Sequence, residues 1–541
     1  MPANTPPYLS EFRPKLVSLW REGYSLRALQ ADALAGLTVA IVALPLSMAI
    51  AIASGVGPER GLFTTIIGGF LVSALGGSRF QIGGPAGAFI VLVSACVMQI
   101  GVAGLILATF LSGAMLIGLA LLRAGTYIRY IPYPVTVGFT AGIAVIIFAA
   151  QIKDLFGLTL TGAEPAEIVA KLETLWGLRA TLNPAALAVA LGTIALIVGI
   201  KRLAPALPNL LIAVTTAAIA VAALNLPVET IFGRFGTLPR TPPAPSLPAF
   251  STQLIAAALP WAFSFTLLGA IESLLSAVVA DGMSGRRHRP NAELLAQGVA
   301  NMAAALFGGF CVTGTIARTA TNVRAGSRGP VSGMLHAVFV LLFMLIAAPL
   351  AGFIPLAALA AVLAVVAWNM IEREAAWHLI RTSRADAVVL LATFGLVVFR
   401  DLTEGIVVGF ALGGLVFIRR MSDSASVDTP TRSAPADCAV YHLHGPYFFG
   451  AAAKLGEALD NIADHPHALV LDLEDVPFID STGARSFELM VRKIARAGGV
   501  IYLTGTRPEV AQALRKAGVT EPHALYLPDM DAVDAARART R

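Results

Sequence analysis

The chain has 541 residues, of which 56% are hydrophobic and only 13% charged, and its mean hydropathy is +0.75. Soluble globular domains carry about 25% charged residues, so a wholly soluble protein is excluded, and so is intrinsic disorder. Cys96, Cys311 and Cys438 are too far apart for a disulfide framework or a metal-ligand set, and the net charge of +6 includes no basic cluster interleaved with aromatics, which argues against a nucleic-acid partner.

The charge is unevenly placed. Residues 1–420 hold 27 Lys and Arg against 17 Asp and Glu, whereas residues 421–541 hold 12 against 16. A basic membrane part is therefore followed by a mildly acidic soluble tail. Residues 1–32 are polar, contain Pro2, Pro6, Pro7 and Pro14, and lack the apolar core and cleavage site of a signal peptide. They read as a cytoplasmic N-terminal segment.

A membrane helix needs about 20 mostly apolar residues. In chain order, residues 33–58, 61–78, 130–152, 180–200 and 203–228 each fit one span, and 80–122 fits two, divided near 100–104. After a Pro-rich start, 241–271 fits one span that continues toward residue 280. Shorter spans follow at 291–307 and 315–328. Residues 329–371 fit two, divided at 349–355, and the series closes with 387–399 and 405–418. The total of fourteen puts both termini on one side. With those termini inside, 19 Lys and Arg fall in inside segments and 7 in outside ones, as the enrichment of basic residues in cytoplasmic loops requires. The predicted class is an all-α polytopic domain of fourteen spans over 33–420, arranged as a 7+7 inverted repeat. A linker at 421–437 and a small α/β domain at 438–541 complete the chain.

Two segments interrupt the helical pattern and resemble each other: GGSRFQIGGPAGA at 76–88 and GGFCVTGTIARTA at 308–320. Each has a Gly-Gly break, a short β-like stretch (80–82 and 310–313), then Gly and a small-residue helix start. They precede the third and tenth spans, and paired interruptions in two halves mark a transporter's binding site. A helix that begins inside the membrane presents unpaired N–H groups and a positive dipole end to an anion. The candidate contacts are Gly84, Pro85, Ala86 and Gly87 with Thr313, Gly314, Thr315, Ile316, Ala317 and Arg318. Small-residue helix packing is the competing explanation of either segment alone.

Charge within a span is costly and usually functional. Glu272 is an isolated carboxylate in the eighth span, with Ser276 one turn on. Burial without a partner favours the protonated form of a carboxyl group, so Glu272 is a candidate proton-coupling residue; the alternative is a static partner for Arg318 or for free N–H groups. Asp281, on the opposite face near Arg286, Arg287, His288 and Arg289, reads as a helix-end charge. In the first span Pro45 frees a carbonyl and Ser47 offers a hydroxyl, although a simple proline kink is the alternative.

The tail alternates strand and helix patterns at 439–443, 451–462, 468–473, 481–497, 500–503 and 508–517. Asp480, Ser481, Thr482 and Gly483 start its second helix. Capping explains them, and a phosphorylatable hydroxyl at the helix start is the sharper alternative. No catalytic constellation, nucleotide loop or cofactor motif is present, so the tail reads as a regulatory or dimerisation module rather than an enzyme.

These residues resemble the SulP/SLC26 anion transporter family over essentially the whole chain. The matching stretches are DALAGLTVAIVALPLSMAIAIASGVGP at 32–58, LGGSRFQIGGPAGAF at 75–89, IESLLSAVVADGMSGRRHRPNAELLAQGVAN at 271–301 and TGTIARTATNVRAG at 313–326. The tail resembles a STAS domain through GPYFFGAAA at 445–453 and VPFIDSTGA at 476–484. Within the family, the stretches around Pro45 and Glu272 look most like bacterial C4-dicarboxylate transporters. The resemblance implies a homodimer in the bacterial inner membrane, with core spans 1–4 and 8–11 moving against gate spans 5–7 and 12–14, and the anion between the starts of spans 3 and 10. Leu46 stands where many members place a Gln near the anion, and Glu272 where sodium-coupled members are expected to place Asp. Thr482 matches a hydroxyl phosphorylated in bacterial anti-sigma-factor antagonists, which implies a cytoplasmic regulator as a candidate partner. The expected function is proton-coupled symport of a dicarboxylate or sulfate across the bilayer. The alternatives are a bicarbonate or chloride exchanger or channel of the same family, or a nucleobase carrier, against which the STAS-like tail and Arg318 argue.

Overall fold

The structure, a computed structural model, describes residues 10–128, 132–160, 164–165, 167–205, 207–400, 402–428, 438–449 and 468–540. The chain divides into two compact units, Met1–Phe410 and Ala411–Arg541.

In the first unit, α1 (Lys15–Glu22) is tied down by charge and backbone alike. The Lys15 N–H donates to the Gly76 carbonyl at 2.9 Å, its Nζ to the Arg287 carbonyl at 2.6 Å, and Arg79 pairs with Glu22. Burial, then the neighbouring Arg289 and Arg79, push the Lys15 ammonium down to about 8. Ser25 caps α2 (Leu26–Ala53) by accepting from the Ala28 N–H. The whole Ala43–Ala51 stretch of α2, Pro45 included, is buried, as expected of a helix that is apolar all round.

The chain returns through α3 (Pro58–Phe63), a π turn (Thr64–Gly68) and α4 (Gly69–Leu75), then leaves helical geometry at Gly76. The extended β1 (Gly83–Gly84) and a 3-10 turn (Gly87–Phe89) lead into α5 (Ile90–Leu121). Gly101, at φ 68° and ψ −178°, breaks α5 where the sequence divides residues 80–122 into two spans. Next come α6 (Tyr133–Phe156), α7 (Pro184–Leu203), capped by Asn183, and α8 (Asn209–Ala223).

The second half repeats the interruption. It runs through α9 (Thr252–Ser284), α10 (Pro290–Leu306), β2 (Thr313–Gly314) and α11 (Ile316–Arg324). It ends with α12 (Val331–Ala351), α13 (Leu356–Met370), α14 (Arg384–Phe399) and α15 (Leu402–Asp423), the last extending into the second unit. Among the described residues eight helices are long and apolar enough to cross a membrane, and α8 is a shorter apolar one. Asp281 ends α9 as a helix-end charge, accepting from His288 N at 2.9 Å with its ring Nδ1 at 2.6 Å.

The second unit is a five-stranded sheet in the order β3 (Ser426–Val427), β4 (Cys438–His444), β5 (Ala468–Asp472), β6 (Val500–Thr504), β7 (Ala524–Tyr526). Only β3 is antiparallel to its neighbour. With it pack α16 (Ser481–Arg496), α17 (Pro508–Lys516) and α18 (Met530–Thr540). Leu469 and Leu471 face Phe487, Ile494 and Leu514, while Val470 meets Tyr502 and Val533 on the other side. Burial on both faces explains the continuous apolar run of a parallel strand. The helix read at 451–462 and residues 429–437 of the linker lie outside the described residues. The earlier linker residues are the end of α15 and β3, a two-residue pairing too short to leave a pattern.

His444, at the end of β4, stands 2.9 Å from Asp475 through Nδ1 and 3.2 Å from Asp428 through Nε2. Desolvation lowers its affinity for a proton, but Asp475 and Asp428 outweigh it and hold the imidazole above its ordinary value. A group raised in the folded state contributes fully below its unfolded value, about 6.5, and the contribution fades as pH rises through the folded one. His444→Gln is therefore expected to flatten the loss of thermal stability of this unit as pH rises above about 6.5. Because the pairs are exposed, the effect should stay below about 1 kcal/mol and shrink with salt. Melting curves across that range, with and without salt, check it.

Candidate functional site

The two interrupted segments meet. β1 and β2 pair antiparallel, Gly83 opposite Gly314 and Gly84 opposite Thr313, and the Thr315 N–H extends the ladder to the Ile82 carbonyl at 3.0 Å. The strands are thus shorter and further along than expected at 80–82. Residues 80–82 form no strand, and side chains take part of their backbone: Asn322 Nδ2 donates to the Phe80 carbonyl at 2.8 Å, and Thr319 Oγ1 accepts from Ile82 N at 3.1 Å.

The helices that follow point their N-terminal ends into this region without side-chain caps. Ala86 and Thr315 occupy the cap positions, and neither makes a capping hydrogen bond. Such ends leave donors and a partial positive charge.

Arg318, in the first turn of α11, is 1% exposed. Its Nη2 donates to Ser47 Oγ and to the Pro85 carbonyl, both at 3.2 Å, whereas Nε and Nη1 are buried with no hydrogen-bond partner among the described residues. Ser47 also shares a 2.8 Å hydrogen bond with Thr65 of the π turn. Arg318 therefore bridges the first span, the first interruption and the second. Leaving a buried charged donor unpaired is expensive, and an anion would supply the acceptor.

Several predicted residues are otherwise engaged. Thr313 Oγ1 donates to the Gly269 carbonyl and Thr315 Oγ1 to the Ile82 carbonyl, each at 3.3 Å, so their hydroxyls hold the backbone. Gly87 faces Ile147 and Met370. Pro45 and Leu46 are buried in α2 beside Ser47; Ile316 and Ala317 open α11. Glu272 is buried in α9 and has no hydrogen bond or ion pair among the described residues, so it is not paired with Arg318. Ser276, one turn on, donates to Thr319 at 3.0 Å.

Sequence reasoning missed Gln81, whose Nε2 donates to the Ser273 carbonyl at 3.1 Å while its Oε1 is buried and unpaired. It also missed His336 of α12, which is fully buried. For His336 the available signal is a polar residue in an apolar run; Gln81 lies in the polar, glycine-rich break and offers no such contrast.

The glycines of the ribbon are fixed by close approach. A Cβ on Gly84 would stand 2.3 Å from Arg318 Nη1, and one on Gly314 1.6 Å from Gln81 Nε2. Gly314→Ala is expected to displace Gln81 and lower anion uptake at least tenfold while the protein still reaches the membrane; an uptake assay with surface-expression control checks it.

In the second unit Asp480 caps α16, accepting from Gly483 N at 2.7 Å and from Phe449 N at 3.0 Å. Ser481 and Thr482 are exposed beside it.

Paired interrupted helices that meet around a buried arginine are the arrangement of a membrane transporter's binding site. Residues 29–393 match the sulfate permease family and 429–527 the STAS domain. The chain belongs to the sulfate permease family. It is 40% identical over 514 residues to the putative sulfate transporter YvdB of Bacillus subtilis, covering 92% of this chain and 95% of that one. It is 28% identical over 523 residues to the bicarbonate transporter BicA of Picosynechococcus, covering 91% of each. Among solved structures, the transmembrane domain of a cyanobacterial BicA superposes with a TM-score of 0.64 at 31% identity, over 71% of this chain and 98% of that one. The murine Slc26a9 anion transporter, in its inward-facing state, gives 0.86 at 20% identity over 99% and 96%, a likeness of fold.

Proposed function

We propose that the protein is a secondary active transporter that moves a small anion, sulfate or a C4-dicarboxylate, together with a proton by alternating access. The observation that carries the reading is Arg318, buried between two uncapped helix starts with Nε and Nη1 unpartnered. Glu272, buried without a partner, carries the proton. Fourteen spans in a 7+7 inverted repeat follow if α3 with α4, α8, α10, α11 and α14 also cross and α5 counts twice at Gly101. The core spans 1–4 and 8–11 then move against the gate spans, in a homodimer of the bacterial inner membrane with cytoplasmic termini. Exposed Ser481 and Thr482 at the start of α16 offer a regulator a site for phosphorylation.

Uptake of labelled sulfate and succinate into proteoliposomes with an imposed pH gradient tests the reading: an acidic outside should accelerate uptake of one of them, and indifference to the gradient rejects proton symport. The relatives named as bicarbonate transporters favour a second reading, bicarbonate or chloride exchange or a channel. Unitary currents in planar bilayers would select the channel, and gradient-independent counterflow the exchanger.

A further inference from the structure

One helix touches both interruptions. On α10, Glu293, Gln297 and Asn301 recur every fourth residue and so share a face, and all three are buried. Glu293 Oε2 accepts from Ser78 N at 3.0 Å, just after the first Gly-Gly break. Asn301 grips Val312, just before β2, from both sides: Oδ1 accepts its N–H at 2.9 Å and Nδ2 donates to its carbonyl at 2.8 Å. Gln297 joins them, its Nε2 donating to Glu293 Oε1 at 3.1 Å and its carbonyl accepting from Asn301 Nδ2 at 2.8 Å. The two anchors lie about 12 Å apart along the helix axis. Backbone leaves no room for drift at the first break, since a Cβ on Gly77 would stand 2.0 Å from the Arg289 carbonyl.

We propose that Glu293 and Asn301 are positioning residues of the anion site: α10 sets the separation of the two helix starts, without touching the anion. The inference rests on the anion reading of Arg318. Neither residue shares a hydrogen bond or ion pair with Arg318 among the described residues, so their effect on affinity is transmitted through β1 and β2. Preorganised donors bind well only while their geometry is held.

The test uses sulfate, bicarbonate and succinate with the purified full chain, reading Kd by calorimetry and melting temperature in parallel. Glu293→Ala and Asn301→Ala should each weaken the binding anion about tenfold in the folded protein. The double variant should fall well short of a hundredfold, because releasing one anchor already frees the separation. Glu293→Gln, which keeps an acceptor for Ser78 and can donate to the unpaired Gln297 Oε1, should restore affinity to within about threefold. A lowered melting temperature with unchanged Kd would overturn the proposal in favour of a purely structural role. If the alanine variants do not fold, hydrogen exchange on the unaltered chain decides. Bound anion should protect the amides of Ser78 and Val312 together, and protection at one break alone overturns the proposal. Absence of binding by the unaltered chain to all three anions would reject the anion reading itself.

Discussion

Replacing Arg318 by Met is expected to raise the melting temperature of the anion-free protein while abolishing anion binding and uptake. The two effects have one cause. Arg318 is buried, and Nε and Nη1 find no acceptor among the described residues, so an apolar side chain of similar length removes a costly buried charge; such replacements are often neutral or stabilising. The anion meanwhile loses charge-assisted hydrogen bonds worth about 1.5–3 kcal/mol each. Two such bonds correspond to roughly a hundredfold to ten-thousandfold in Kd. Arg318→Lys keeps the charge but not the planar fork, and it also forfeits the paired contacts to Ser47 and the Pro85 carbonyl. It should bind about tenfold more weakly than the unaltered chain. Melting curves with and without sulfate measure both effects. A destabilised Arg318→Met protein that still binds sulfate would make the arginine a structural brace.

The second large effect is expected at Glu272. Glutamine there is isosteric and permanently neutral, like the protonated carboxyl, so Glu272→Gln should keep anion exchange within about threefold and lose at least tenfold of the uptake driven by a pH gradient. Burial without a partner underlies the expectation, because a carboxylate in apolar surroundings is far costlier than a carboxyl. Ser276 is already committed to Thr319, so it leaves Glu272 without a local donor that would hold the charged form. Equal losses of exchange and gradient-driven uptake would place Glu272 in anion binding instead; intact gradient-driven uptake would remove it from coupling.

Much of this was legible because the membrane makes exceptions conspicuous. Glu272 stands out in an apolar run, Arg318 stands at the start of a helix that follows a break, and Gly-Gly breaks followed by small residues mark where helices stop and restart. The division of residues 80–122 was equally readable, since Gly101 supplies the left-handed φ that ends one helix and starts another. What escaped were pairings between distant segments. Two-residue strands such as β1, β2 and β3 carry no periodicity of their own, and their register exists only in the fold. For Thr313 and Thr315 the sequence offers hydroxyls as ligand donors without showing the Gly269 and Ile82 carbonyls that take them. Glu293, Gln297 and Asn301 do show a four-residue period, but the period alone names no partner, and Ser78 and Val312 lie outside the helix.

The most direct test of the account locates the anion. A structure determined with selenate or bromide, read by anomalous scattering, should place the scatterer between the starts of α5 and α11, within hydrogen-bond reach of Arg318 Nε or Nη1. Anomalous signal elsewhere, with none beside Arg318 under conditions where the protein transports that anion, would contradict it.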